Sequence, residues 1–138
     1  MLRRLALLAS ALFVLTACGG DEGSAEGDKN PVEVTVGEAF TWNGFSVADG
    51  WTLDQAPMSR GQEQGTMPVI EGEVTNDGEK ARFGLLQFTF AQDGKAVATV
   101  PCTTGELQPG DSAPMECSGL SSSFPEEYDA VSVSEIKR

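Results

Sequence analysis

Apolar and polar residues alternate through most of the chain beyond residue 31, with the period of two that is typical of half-buried β-strands. Val32-Glu33-Val34-Thr35-Val36 is the clearest example. Residues 45–47 are predicted to form the second arm of a hairpin, which 51–53 continues past a bulge at Gly50. The same reasoning predicts strands at 32–36, 39–42, 45–47 with 51–53, 69–76, 81–91, 95–102, 112–117 and 128–136.

Turn-forming pairs separate these segments. Asn43-Gly44 and Asp93-Gly94 suit the positive φ angles of two-residue hairpins, and a polar loop is expected at 60–65. Helix signals are nearly absent from 31–138, and this length suits one domain. The pattern therefore predicts an all-β sandwich of roughly seven or eight short, mostly antiparallel strands.

The beginning of the chain has a different character. Arg3 and Arg4 precede an uncharged apolar run at 5–15, which is the arrangement of a secretory signal. The run is too short for a transmembrane helix, which needs roughly 20 apolar residues. We therefore expect export without a permanent membrane-spanning helix.

Leu15-Thr16-Ala17-Cys18 resembles the bacterial lipobox. It predicts a signal peptide at 1–17 and a diacylglycerol joined by a thioether to Cys18, which would anchor the exported protein to the outer face of the bacterial cell membrane. Two acyl chains give stable attachment. The alternative is an ordinary signal peptide cut after Ala17, which leaves Cys18 as a free thiol.

Residues 18–30 are predicted to form a flexible acidic tether that ends where the domain, 31–138, begins. Gly, Asp, Glu and Ser dominate this segment, and it contains no large apolar residue that could order it. Twelve residues of this kind have an end-to-end distance of about 19 Å. The domain should therefore stay close to the lipid.

The chain is strongly acidic. It carries 9 basic and 21 acidic residues, a formal net charge of −12, which becomes −14 when Arg3 and Arg4 leave with the signal. Nucleic acid is excluded as a partner, because phosphate backbones are bound through clustered Lys and Arg. An anionic lipid surface repels the domain as well, within a Debye length of about 8 Å.

With Cys18 acylated, Cys102 and Cys117 remain and are expected to form a disulfide in an exported protein. Two buried free thiols or a metal-binding pair are the alternatives, since pairing depends on geometry. Pro109-Gly110 lies midway between these cysteines and has the wrong twist for a tight hairpin. We therefore predict a wide loop between them.

Several strand and turn motifs resemble the FxLYD domain and related immunoglobulin-like domains of bacterial lipoproteins. These motifs are Val36-Gly37-Glu38-Ala39-Phe40, Phe45-Ser46-Val47, Glu71-Gly72-Glu73-Val74-Thr75-Asn76, Phe88-Thr89-Phe90, Asp93-Gly94-Lys95 and Leu107-Gln108-Pro109-Gly110. The resemblance covers nearly all of 31–138. It implies an immunoglobulin-like β-sandwich and supplies no catalytic residues.

The sequence predicts no catalytic residue and no cofactor. It contains no histidine, so Ser-His-Asp and Cys-His arrangements cannot form. A Ser-Lys dyad is the remaining possibility, and it requires a buried lysine. Lys80, Lys95 and Lys137 are instead expected to be exposed near turns or the terminus.

No metal ligands are predicted either. Met58, Met67 and Met115 offer thioethers to Cu(I), but methionine without a histidine partner is usually a core residue. A second group of residues could suggest calcium but lacks EF-hand spacing, so a solvated acidic face is expected. This group consists of Glu71, Glu73, Asp77 and Glu79.

Trp42, Phe45 and Trp51 lie in or beside the first hairpin, where large aromatic side chains usually fill the space between sheets. The alternative is that one tryptophan is exposed as a binding anchor. We predict a non-catalytic binding or envelope-assembly module that meets a protein or envelope component near the membrane. The chief alternative is a carrier of a small ligand or of copper, which requires a concave pocket.

Overall fold

The computed structural model describes residues 27–61, 63–119 and 124–137, and these residues form eleven β-strands and no helix. The strands are β1 (Val32–Val34), β2 (Phe40–Trp42), β3 (Phe45–Val47), β4 (Thr52–Arg60), β5 (Glu63–Glu71), β6 (Glu73–Asn76), β7 (Arg82–Gln92), β8 (Lys95–Leu107), β9 (Ser112–Pro114), β10 (Glu116–Cys117) and β11 (Ala130–Glu135). The predicted signal peptide, Cys18 and most of the predicted tether lie outside the described residues.

The strands pair antiparallel in three sheets. One sheet has five strands in the order β1-β11-β7-β8-β10, a second has four in the order β2-β3-β6-β9, and the hairpin β4-β5 forms the third. These sheets pack on one another around a common apolar core. The prediction of an all-β sandwich is confirmed.

The core follows directly from the alternating pattern of β7, whose inward residues Leu86, Phe88 and Phe90 are all 0 % exposed. The opposing sheet contributes Phe45 and Val74, among others. Burial of one such side chain stabilises the fold by about 1.5–3 kcal/mol. The continuous alternation in β7 therefore fixes which face of the larger sheet meets the smaller one.

Two predicted turns form as expected. Asn43 and Gly44 have φ angles of 49° and 75°, and Asp93 and Gly94 have 51° and 74°. Positive φ at both central residues is the requirement of the hairpin turn whose twist matches that of the strands. The hairpins β2-β3 and β7-β8 are consequently the two parts of the fold in closest agreement with the sequence pattern.

The structure has more strands than predicted, because three predicted strands are each divided. The predicted arm of 45–47 continued by 51–53 past a bulge at Gly50 is wrong, since β3 pairs in the four-stranded sheet and β4 pairs with β5 in the hairpin. The segment 69–76 is interrupted at Gly72, where an added Cβ would lie 2.8 Å from the Cβ of Trp51. The segment 112–117 is interrupted at Met115, whose N–H donates to the Gly72 carbonyl at 2.9 Å. After Met115 the chain leaves the four-stranded sheet, where β9 pairs with β6, and joins the five-stranded sheet, where β10 pairs with β8.

The predicted loop at 60–65 is wrong, because β5 already begins at Glu63; Gln62 lies outside the described residues. Two prolines obscure this hairpin in the sequence, since proline usually opposes a strand. Pro57 faces Thr66 in the ladder, and Thr66 directs its carbonyl away from β4, to the N–H of Phe124 at 3.0 Å. Pro57 and Pro68 thus occupy positions where no N–H is needed inside the hairpin.

Cys102 and Cys117 form a disulfide and face each other in the β8-β10 ladder. Between them the chain crosses to the other sheet as β9 and returns, so the predicted wide loop is confirmed. Cys102 is 0 % exposed. The bond therefore joins the two ends of a crossing between sheets.

Asn76, at the end of β6, is a polar residue that is 0 % exposed. Its Nδ2 donates to the carbonyls of Lys80 and Leu107 at 2.8 and 2.9 Å, and its Oδ1 accepts from the N–H of Gly78 at 3.0 Å. Its backbone N–H donates to the Asp111 carbonyl at 2.9 Å. One side chain thus connects the ends of two strands and the loop between β6 and β7.

Candidate functional site

The last residues of the predicted tether, 27–30, contact the domain at the turn between β2 and β3. The indole Nε1 of Trp42 donates to the backbone carbonyl of Asn30 at 3.0 Å. Trp42 is only 4 % exposed, so this hydrogen bond satisfies its single polar group. A buried core residue therefore holds the chain just before the domain begins.

A second set of contacts holds Gly27. The Arg82 guanidinium lies 4.5 Å from the centre of the Phe45 ring, and its Nη1 donates to the Asn43 carbonyl at 2.8 Å. The side-chain amide of Asn43 is oriented so that its nitrogen and its oxygen both have hydrogen-bond partners. The nitrogen donates to the Gly27 carbonyl at 3.1 Å, and the oxygen accepts from Arg82 Nη2 at 3.2 Å. Asn43, which is held in place by Arg82, thus binds the tether through the backbone carbonyl of Gly27.

The close approach requires glycine at position 27. An added Cβ would lie 2.5 Å from the backbone nitrogen of Gly44. An open cleft of about 360 Å³ between the tether and the turn is lined by Asp28, Pro31 and Trp42, among others. The backbone N–H of Asn30 donates to Asp28 Oδ1 at 2.9 Å, and this hydrogen bond keeps the pKa of the exposed Asp28 carboxyl below its ordinary value.

Gly27→Ala should release this contact, because the backbone of the turn cannot move away from the new methyl group. We expect the indole N–H of Trp42 to exchange with solvent about tenfold faster, the equivalent of about 1.4 kcal/mol in the opening equilibrium. NMR hydrogen exchange measures this rate. Gly105→Ala is the matched control, since an added Cβ there meets nothing within 4 Å; equal exchange in the two variants would contradict the docking.

Several segments gather at the end of the sandwich where the tether docks. Asp77 donates its N–H to the Gly44 carbonyl, and Arg82 pairs with Leu107 in the β7-β8 ladder. We call this region the tether end and define it as 27–30, 43–44, 77–83, 106–111 and 135–137. The hairpin β4-β5 and the turn at 93–94 lie at the other end of the strands, which we call the hairpin end.

Basic residues are concentrated at the tether end. It carries four of the six basic residues that the structure describes, together with six acidic ones. Phe83, at the start of β7, is 57 % exposed. An open cleft of about 850 Å³ nearby is lined by Lys29, Leu85, Ile136 and Lys137, among others. The tether end thus combines most of the described basic residues with exposed apolar surface.

Both tryptophans belong to the core, as their usual role predicts. Trp51 is 2 % exposed, donates its indole N–H to the Glu38 carbonyl at 2.7 Å and lies 5.5 Å from the Phe88 ring centre. Phe45 is 2 % exposed. The alternative of an exposed tryptophan anchor is therefore wrong.

The lysines considered for a Ser-Lys dyad are all exposed, as expected: Lys80, Lys95 and Lys137. The residues considered for calcium are exposed as well: Glu71, Glu73, Asp77 and Glu79. Within the ranges that the structure covers, no three His, Cys, Asp or Glu residues are close enough to hold a metal ion. The structure brings neither set together into a site.

The methionines considered for copper are divided between two environments. Met115 is 7 % exposed, and its methyl group would lie 3.0 Å from a Cβ added at Gly72. Met67 faces Ala56 and Met58 faces Gly65, so Met58 and Met67 are diagonal neighbours on one face of the hairpin. Two of the three methionines therefore lie on one face of the hairpin, and the third is a core residue.

Sequence reasoning missed the docking of the tether and the exposure of Phe83. The Asn43-Gly44 pair was the one available signal for this end of the molecule. The part of the chain that the structure describes contains no helix with the length and apolar character of a membrane span. Comparison of the chain with protein-family models, with curated proteins and with solved structures finds no match.

Proposed function

We propose that this protein is an exported lipoprotein, anchored through a diacylglycerol on Cys18, that acts on the outer face of the bacterial cell membrane as a non-catalytic binding or envelope-assembly module. The observation that carries the proposal is the Cys102–Cys117 disulfide. The chain has three cysteines, so this bond leaves Cys18 as the one cysteine outside it. That cysteine follows a signal-like segment at a lipobox-like site.

The disulfide also supports export. Such bonds form and persist in oxidising compartments outside the cytosol, where thiols are not kept reduced. The resemblance to FxLYD and related immunoglobulin-like domains of lipoproteins points the same way, and the sandwich agrees with the fold it implies. The disulfide and the cysteine that follows the signal-like segment thus both support export of the protein.

A binding role fits the described residues better than catalysis. The three lysines considered for a dyad are exposed, and the chain contains no histidine. Attachment to a membrane raises the effective concentration of a binding surface toward partners in the same envelope, so modest contacts become sufficient. The partner class is a protein or an envelope component, and the excess of acidic residues opposes nucleic acid.

A carrier of a small ligand or of copper is the second candidate, and the position of Met58 and Met67 as diagonal neighbours on one face of the hairpin favours it. Cu(I) prefers thioether and thiolate ligands, and two thioethers would need further soft ligands. Met115 packs at Gly72, five residues along the strand from Met67, which is a distance of about 16 Å. The hairpin therefore offers half of such a site, and the binding module remains the better-supported proposal.

Cys18→Ala should move the protein from the membrane fraction to the soluble exported fraction, because the acyl chains are lost and the acidic domain offers no comparable anchor. Fractionation of cells followed by detection with an antibody measures the change. Gly19→Ser is the matched control, since serine is also common after the modified cysteine of a lipobox. A signal-cleaved Cys18→Ala protein that still sediments with membranes would refute the lipid anchor.

A further inference from the structure

The docked tether fixes which end of the domain lies closest to the membrane. Gly27 is held at the β2-β3 turn by Asn43, and Asn30 is held by Trp42. The domain is therefore connected to Cys18 at its tether end and not at its middle. Only the segment from Cys18 to Gly27, nine residues in length, connects the docked part of the chain to the lipid anchor, and we call it the linker.

The fully extended linker is shorter than the domain. Nine residues span at most about 32 Å when fully extended. β8 contains 13 residues, and at about 3.3 Å per residue it extends for about 40 Å from the tether end to the hairpin end. If the domain stood with its hairpin end on the bilayer, Gly27 would lie about 40 Å above the lipid. The fully extended linker could not span that distance.

The surface chemistry of the two ends matches this restriction. Four of the six basic residues that the structure describes lie at the tether end, although the six acidic residues there leave it with a net charge of −2. Basic side chains close to an anionic bilayer are attracted to its headgroups. Phe83, 57 % exposed, is the most exposed large apolar side chain of the described residues, and aromatic side chains favour the level of the lipid headgroups.

We propose that the tether end rests on the lipid surface, with Phe83 at the level of the headgroups, and holds the β4-β5 hairpin away from the bilayer. The inference rests on the proposed lipidation of Cys18. It assigns Phe83 a role in contact with lipid. It also assigns the hairpin end to partners that approach from the side away from the membrane.

Fluorescence quenching by brominated lipid tests this orientation. The full-length lipidated protein is reconstituted into vesicles of phosphatidylcholine and phosphatidylglycerol, with bromine atoms on the acyl chains close to the headgroups. Phe83→Trp places a reporter at the tether end, and Val97→Trp is the matched control near the other end of β8, where Val97 is 42 % exposed. The native Trp42 and Trp51 are buried and give the same background in both variants.

We expect the emission added by Phe83→Trp to fall by about half in brominated vesicles, because an aromatic side chain at the interface lies near the bromine atoms, and the emission added by Val97→Trp to remain unchanged. Vesicle flotation in the same samples tests the anchor separately. Flotation with quenching of both reporters, of neither, or of Val97→Trp alone would overturn the proposed orientation while the lipid anchor stands. A protein that does not float would overturn the anchor, and the orientation with it.

Discussion

Replacement of both Cys102 and Cys117 by alanine should lower the free energy of unfolding of the domain by about 3 kcal/mol, because the bond closes a loop of 15 residues. The loop contains β9 and both crossings between the sheets, so its ends are separate in the unfolded chain and adjacent in the fold. Loss of the bond restores that freedom to the unfolded state. A loss of this size is a large fraction of the stability of a small domain.

Unfolding in guanidinium chloride, followed by tryptophan fluorescence, measures this loss. The reduced unaltered protein is the control, because it loses the bond but keeps the buried sulfur of Cys102. A loss below about 1 kcal/mol in both samples would contradict the stabilising role of the bond. Two alkylatable thiols in the unreduced, unfolded protein would contradict its existence.

Asn76→Ala should be destabilising by a similar amount, about 3 kcal/mol, although it removes only one small side chain. The change leaves the carbonyls of Lys80 and Leu107 without their donor, and the N–H of Gly78 without its acceptor. Each buried polar group that loses its partner costs about 1–3 kcal/mol. Chemical unfolding of the purified domain measures the effect.

Thr75→Ala is the matched control for Asn76→Ala. Thr75 is the neighbouring residue in β6, and its hydroxyl makes an exposed contact of 2.6 Å with Ser112. Substitutions at such exposed positions usually change stability by about 0.5 kcal/mol or less. Equal losses in the two variants would show that Asn76 has no special role in joining the strand ends.

The parts of the fold that the sequence predicted well are determined by local chemistry. The turn at Asn43-Gly44 requires positive φ at both positions, and asparagine and glycine adopt such angles readily. These two residues alone therefore predict the turn. The alternation in β7 likewise identifies its buried face, since side chains of a strand point to opposite sides. In both cases the relevant interaction lies within a few residues of the chain.

The parts that could not be predicted depend on contacts between distant residues. Gly72 interrupts a strand because Trp51 packs against it, and Met115 interrupts another because its N–H bonds to the Gly72 carbonyl. Pro57 and Pro68 are acceptable in a hairpin only in one register, and the residue types do not reveal that register. Local patterns therefore predicted strands but not their division between sheets.

The candidate site illustrates the same limit. Composition predicted that 18–30 would not form a structure of its own, because the segment has no large apolar residue. The domain nevertheless binds 27–30 through the backbone carbonyls of Gly27 and Asn30, which every residue possesses. A contact made by main-chain atoms leaves no trace in side-chain composition, so it appears only in the three-dimensional structure.

The position of β11 determines when this domain can be completed during synthesis. β11 is the last strand in chain order, yet it lies inside the five-stranded sheet, where Val133 pairs with Val32 of β1 and with Phe88 of β7. A polypeptide that emerges with its N-terminus first exposes β1 long before its partner arrives. Pairings between residues so distant in sequence form slowly. The sheet therefore closes only after synthesis has delivered residues 130–135, and until then β1 has no partner strand in this sheet.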